Sequence, residues 1–370
     1  MKRILIAFAL AVQLFTRANA ATMEVFVGSG FQGELNGIGV QTMLNEPREV
    51  TVDSLGTVYL LDQKRIRRVS RGGVLTTFSS FNFEPPAFGI SLSALTTNLL
   101  LFCDGATIQE FSGVTQTAHT FAGGNGTGFR DGPVVDSLFW WPIVAVAGPA
   151  IYVSDYGNKR IRIINSGVVS TLAGSGNTGR IDGNGVFSSV EDPNCIAVNS
   201  RGEAIIRDYF SIRWIYPDGR ISTVVSNTIW GKFQFDPNDN LYAASDTNVA
   251  RLGSNYQPIA TYSVEKVVSD FVIDKDGNLY AADAQARKVF RARVPILPAH
   301  IPQTPTLAVE MRAALTLTGE TGYSYRIESA ASANGPWKTE DTVTLRSSPQ
   351  AWIDPAAAKG SKLYRAILLQ

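Results

Sequence analysis

The chain has 370 residues, 45% hydrophobic and 18% charged, with a formal charge of +1. That hydrophobic fraction excludes a disordered chain, and so balanced a charge excludes a nucleic-acid binder that works through a basic field. Two cysteines and two histidines cannot supply a disulfide framework or a histidine-rich metal centre.

The N-terminus reads as a secretory signal peptide over residues 1–20. Lys2 and Arg3 precede an apolar run from Ile4 to Phe15, and Ala18-Asn19-Ala20 has the small residues of a cleavage site. The run is shorter than the ~20 residues that span a bilayer. Ala21 is the expected mature N-terminus. Cleavage removes Lys2, Arg3 and Arg17 with no acidic residue, and turns the charge from +1 to −2. The mature protein is expected to be secreted or periplasmic/extracellular, and not membrane-spanning.

Residues 21–297 are an array of repeats. Gly28-Ser29-Gly30 lies over Gly174-Ser175-Gly176, Pro47 over Pro193 and Asp62 over Asp208. One short strand recurs six times: Tyr59-Leu60-Leu61-Asp62, Leu101-Phe102-Cys103-Asp104, Tyr152-Val153-Ser154-Asp155, Ile205-Ile206-Arg207-Asp208, Tyr242-Ala243-Ala244-Ser245 and Tyr280-Ala281-Ala282-Asp283. In each unit an alternating strand comes first and a turn such as Asp53-Ser54-Leu55-Gly56 second. The Tyr-x-x-Asp strand, a third strand such as Arg160-Ile161-Arg162-Ile163 and a closing strand follow. Four short strands per unit, without a helical period, predict a six-bladed β-propeller. Met23–Val27 matches a fourth strand, and the sixth unit has only three. The N-terminal strand is therefore expected to complete the last blade and leave no open seam.

A proline-rich linker, 298–305, separates this array from residues 306–370. Short alternating runs there predict a small β-sandwich, with Trp337, Trp352, Tyr325 and Tyr364 as core anchors. The fold class expected for the whole chain is all-β.

The repeat resembles the NHL-repeat propellers. Blade three carries Gly126, Gly128, Asp131-Gly132, Phe139, Pro142, Tyr152, Asp155, Asn158, Arg160-Ile161-Arg162, Gly167, Val169, Thr171 and Ala173-Gly174. The tail resembles the fibronectin- or immunoglobulin-like appendices of secreted bacterial proteins. NHL-type amidating lyases hold zinc through channel histidines. His119 falls on an outer strand and His300 in the linker, so that chemistry is not expected, and Ser-His-Asp catalysis fails on the same count.

Cys103 and Cys195 lie a blade apart, too far for a disulfide, and are expected as buried free thiols. The runs Lys64-Arg65-Ile66-Arg67-Arg68 and Lys159-Arg160-Ile161-Arg162 are expected on solvated third strands, where arginines shield a sheet surface. Asp274-Lys275-Asp276-Gly277-Asn278 resembles the start of an EF-hand loop. Its twelfth position is Gln285 instead of glutamate, so a hairpin turn is expected. No cofactor is predicted, and calcium is the one cation left open. Gluconolactonase-type relatives bind it at the channel mouth, where Glu49, Asn194 and Asp270 would lie at the tops of first strands.

The Gly-rich loops between units carry Arg130, Asp131, Arg180 and Asp182, and Trp140, Trp141 and Trp230 enter the first strands near the channel mouth. Rigid aromatics beside polar loops suit recognition. The competing reading makes Asp131 and Asp182 turn-shapers and the tryptophans space-fillers. The function expected is a monomeric, non-catalytic binding module for a protein, glycan or surface ligand. The alternative is a divalent-cation-dependent lactonase, hydrolase or lyase with its site in the channel.

Overall fold

Apolar alternation sets the strands, and carboxylate or amide side chains pin the turns between them. Asp53 Oδ1 accepts the N–H groups of Leu55 and Thr57, each at 2.9 Å, while Gly56 takes the left-handed φ of 80° that the hairpin requires. Asp274 does the same for Asp276 and Asn278 at 2.9 and 2.8 Å. The EF-hand-like segment is thus a hairpin turn, as expected.

The computed structural model describes residues 20–79, 92–96, 98–124, 126–226, 228, 230–295, 306–310, 314–330, 334–346, 348–353 and 363–369. The expected signal peptide, apart from Ala20, and the linker 298–305 lie outside the described residues. The chain divides into two compact units, Met1–Ile296 and Leu297–Gln370.

The first unit is a β-propeller. Six sheets of four or five strands follow one another along the chain. Their innermost strands are Pro47–Val52, Leu92–Thr96, Pro142–Ala147, Pro193–Val198, Lys232–Phe235 and Asp270–Ile273. These touch in a closed cycle, the sixth against the first. The sheets are called blades one to six below. Each apolar core is shared by two neighbouring blades, so burial itself closes the ring. At the seam, Phe26 and Val27 from the N-terminus pack with Val50, Leu60, Tyr280 and Val289.

The N-terminal strand Glu24–Val27 pairs antiparallel with Lys288–Arg293 and completes blade six. Ala20–Thr22 runs parallel to Pro258–Ser263 on the outer edge of blade five. In blades one, three and four a two-residue strand from the preceding loop covers the outer edge: Gly37–Ile38, Gly132–Pro133 and Gly183–Asn184. These loop strands have no apolar alternation and gave no signal in the sequence.

Antiparallel order puts the loops entering each blade and the turns between its second and third strands at one end of the ring, the loop face. That end carries the candidate site.

The second unit contains two three-stranded sheets, one of Thr306–Glu310, Ala314–Thr318 and Gln350–Ile353, the other of Lys338–Thr344, Ser324–Ala330 and Leu363–Leu368. Leu317 and Trp352 from one and Tyr325 and Ile327 from the other share a core, with Tyr364 packed against it. Trp337, expected in that core, instead lies half-buried under the Arg365 guanidinium, 4.2 Å from the ring centroid. Among the described residues no helix is long and apolar enough to cross a membrane.

Candidate functional site

Of the basic runs on the third strands, Lys64 and Arg68 are exposed as expected, but Arg67 and Arg162 overturn the expectation of a solvated face. Arg67, Arg162 and Arg213 are fully buried. Arg213 donates to Asp208 Oδ2 at 2.7 Å and to the Ser189 carbonyl at 2.8 Å. Its other end reaches the Ile181 carbonyl and Asp182, both at 3.0 Å. Asp208 Oδ1 in turn accepts the N–H groups of Glu191 and Asp192. Blade three repeats the arrangement through Asp155, Arg162 and Asp131, and blade one through Asp62, Arg67 and Asn36. Burial of so large a cation is sustained because its terminal nitrogens are paired, although the Nε of Arg67 and of Arg213 finds no acceptor among the described residues. Each lock ties a Tyr-x-x-Asp strand to the Gly-rich loop entering the same blade.

Asp131 and Asp182 are therefore structural. Asp131 holds Arg162 and the Thr171 N–H, and Asp182 holds Arg213 and the Thr223 N–H. Arg130 is exposed, and among the described residues its side chain reaches only the Asp136 carbonyl, at 3.4 Å. Arg180 lies on the loop face, 3.3 Å from Glu191 and 5.5 Å from the Tyr209 ring centroid.

What the locks hold in place is an aromatic arc across blades three to five. Trp140 packs directly over Gly157, where a Cβ would come within 2.4 Å of the indole, and its ring stays 42% exposed. The Trp141 ring lies 5.7 Å from that of Trp140 and 5.9 Å from that of Tyr156. The neighbouring Asp192 carboxylate, with burial adding to it, pushes the Tyr156 phenol pKa up. The Asp192 carbonyl accepts the Tyr209 N–H. Tyr209 and Phe210 stack edge-on at 4.4 Å and are 44% and 46% exposed. The Phe210 carbonyl accepts the Thr228 N–H, and Thr228 Oγ1 accepts that of Trp230. Trp230 is half-buried against the core between blades four and five. Trp140 and Trp141 thus belong to one platform, and Trp230 is its buttress. Tyr209-Phe210 was missed in the sequence. It stands in a turn after the Tyr-x-x-Asp strand, where aromatic residues carry no periodic signal.

A second cluster sits at the axis. Glu49 and Asp270 are both more than nine-tenths buried and meet there, but a lysine that the sequence did not flag joins them. Lys232 Nζ lies 3.0 Å from Glu49 and 3.9 Å from Asp270. Asp270 also accepts the Val50 N–H at 3.0 Å. Burial, with Asp270 adding to it, pushes the Glu49 carboxyl up to about 8 although Lys232 pulls the other way. Burial likewise raises Asp270. Burial lowers the Lys232 ammonium, but the two carboxyls more than offset this and keep it protonated. Burial thus favours the protonated form of Glu49 while Lys232 stays an ammonium.

This arrangement does not fit calcium, which takes six to eight oxygen ligands. The lysine ammonium already sits against the carboxyls a cation would use. The side-chain oxygen of Asn194, the third expected member, is buried and without a hydrogen-bond partner among the described residues. No group of three or more His, Cys, Asp or Glu side chains able to hold a metal occurs among the described residues. Cys195 and Cys103 are free and buried. Burial pushes the Cys195 thiol up to about 11 and Cys103 well above its ordinary value, so neither has the thiolate character of a nucleophile.

No family model matches the chain. Teneurin-1 of Mus musculus is 24% identical over 282 residues, covering 72% of this chain; the chain spans 9% of the length of that relative. Among solved structures, a gluconolactonase of Xanthomonas campestris superposes with a TM-score of 0.51 at 13% identity, over 68% of this chain and 87% of that one. A calcium-binding protein, regucalcin, of Agrobacterium tumefaciens gives a TM-score of 0.51 at 14% identity, over 76% of this chain and 99% of the other. At these identities the structural likeness establishes the propeller fold alone.

Proposed function

We propose that the chain is a secreted, monomeric, six-bladed propeller of the NHL type with a C-terminal β-sandwich, and that it acts as a non-catalytic recognition module. The observation that carries this reading is the aromatic arc. Trp140, Tyr209 and Phe210 stand exposed on turns that buried arginine–carboxylate locks hold still. Such a rigid platform takes a ligand with little ordering cost. A tryptophan packed over a glycine and still 42% exposed suits stacking of a sugar ring or of a rigid protein side chain. The similarity to teneurin-1 over the repeat region supports the NHL assignment.

The test is affinity electrophoresis of the full chain through gels containing mixed-linkage β-glucan, glucomannan or hydroxyethyl cellulose, all free of uronic acid. Retardation of the wild type, relieved in Trp140→Ala/Tyr209→Ala/Phe210→Ala, supports the reading for a glycan. Identical migration of both proteins in every gel counts against it and shifts the search to a protein ligand.

The second reading is an axial lactonase. The meeting of Glu49 with Asp270 favours it, together with the fold shared with a gluconolactonase and with regucalcin. In that reading Glu49, protonated near neutrality, is the general acid or base. Lys232 counts against its divalent-cation form. Turnover of gluconolactone that disappears in Glu49→Gln would establish the second reading.

A further inference from the structure

On the loop face, the seam between blades six and one opens into a cleft of about 370 Å³. It stands apart from the aromatic arc, which occupies blades three to five. Its walls come from the loop entering blade one and from the turns after the second strands of blades one and six. They present the side chains of Gln32, Asn45, Glu46, Gln63, Gln285 and Arg287, and Ala284 is the one apolar member.

Two features make this more than a polar surface. The first is Arg287. It is half-buried, it has no carboxylate partner among the described residues, and its Nε–H is buried without an acceptor. Arg67 and Arg213 share that unpartnered Nε, so what singles out Arg287 is a guanidinium with no carboxylate beside it. Arg287 lies outside the register of the lock arginines, a register that blade six fills with Phe290. The second is the company it keeps. The side chains of Gln32, Gln63 and Gln285 make no hydrogen bonds among the described residues, and the one anion, Glu46, is already held by Arg48 at 2.8 Å. The cleft therefore offers an uncompensated positive fork ringed by amides that both donate and accept.

We propose that this cleft binds a uronic acid unit. The carboxylate would sit on the Arg287 fork, a planar bidentate match, and the ring hydroxyls would bond to the glutamine and asparagine amides. The scarcity of apolar lining disfavours an acidic peptide, whose flanking side chains would need apolar contact.

Isothermal titration of the full chain with glucuronate, glucose and acetate tests this. Glucuronate is expected to bind more tightly than either other probe, since only it carries both the carboxylate and the hydroxyls. Arg287→Gln is expected to weaken glucuronate by about ten- to a hundredfold. Its melting temperature should be unchanged, because the side chain holds no partner in the fold. Arg287→Lys, which keeps the charge and loses the fork, should fall between. The Trp140→Ala/Tyr209→Ala/Phe210→Ala variant should bind glucuronate normally, so this proposal and the recognition reading fail separately. Glucuronate binding no tighter than glucose or acetate, or undiminished in both Arg287 variants, would overturn the proposal.

Discussion

The buried arginine–carboxylate locks lead to the sharpest stability prediction, at Asp208. Its Oδ1 accepts two backbone N–H groups at 2.8 Å and its Oδ2 the Arg213 guanidinium at 2.7 Å. Asp208→Ala strips three acceptor contacts at once and leaves Arg213, with no exposed surface, paired only to Asp182, whose side chain is 49% exposed. Removing one partner of a buried ion pair costs about 3–5 kcal/mol. At roughly 2–4 °C per kcal/mol for a large domain, the melting temperature should fall by on the order of 10 °C. Differential scanning calorimetry at pH 7 measures it. Asp208→Leu/Arg213→Met removes both charges, and it should lose less than the sum of its two single variants because no orphaned ion remains. A melting temperature for Asp208→Ala within about 2 °C of wild type, or strict additivity in the double variant, would refute the claim that these pairs are coupled and structural.

Asp131→Ala, which leaves Arg162 its bond to Asp155, should destabilise less than Asp155→Ala in the same calorimeter. The axial cluster has a pH signature. Because folding raises the Glu49 pKa to about 8, the native state binds more protons than the unfolded state from the ordinary carboxyl range up to that pH. The associated stability is fully present at acid pH and is lost as pH rises through about 8. Urea titrations from pH 5 to 9 should show a decline in stability that Glu49→Gln flattens. Lys232→Met should destabilise at pH 7 by leaving the Asp270 carboxylate without its cation, and Asp270→Asn in the same chain should restore part of the loss. Adding calcium or EDTA should leave the wild-type melting temperature unmoved, since Lys232 already satisfies the carboxyls; a calcium-dependent rise of several degrees would contradict that.

The blades were legible because period-two alternation and glycine turns are local signals. The closure of blade six by Glu24–Val27 could be read because Met23–Val27 falls in the phase of a fourth strand. Arg67, Arg162 and Arg213 could not be placed by the same rules. In an alternating strand a basic residue reads as solvent-facing, and only the partner carboxylates, supplied by another strand and a distant loop, make burial tolerable. The Asp-x₄-Arg spacing of Asp62–Arg67 and Asp208–Arg213, lengthened to Asp-x₆-Arg in Asp155–Arg162, was the available clue. Glu49 and Asp270 stand out as carboxylates on first strands, and both lie within 4 Å of one Lys232 ammonium. Lys232 does not stand out, since a lysine opening a short strand looks like any edge charge until three blades converge. Trp140 and Trp141 stood out by residue type, whereas Tyr209-Phe210 depended on the ring bringing blades three and four side by side.

The claim that recognition resides on the aromatic arc, and not at the axis, is tested most directly by comparing two variants of the full chain in the same polysaccharide gels. One is Trp140→Ala/Tyr209→Ala/Phe210→Ala, and the other is Glu49→Gln/Asp270→Asn. The account predicts that the first loses retardation and the second, once shown to be folded, keeps it, with no gluconolactone turnover by either protein or by wild type. Retention of binding by the arc variant together with its loss in the axial variant, or lactone turnover that only the axial variant abolishes, would contradict it.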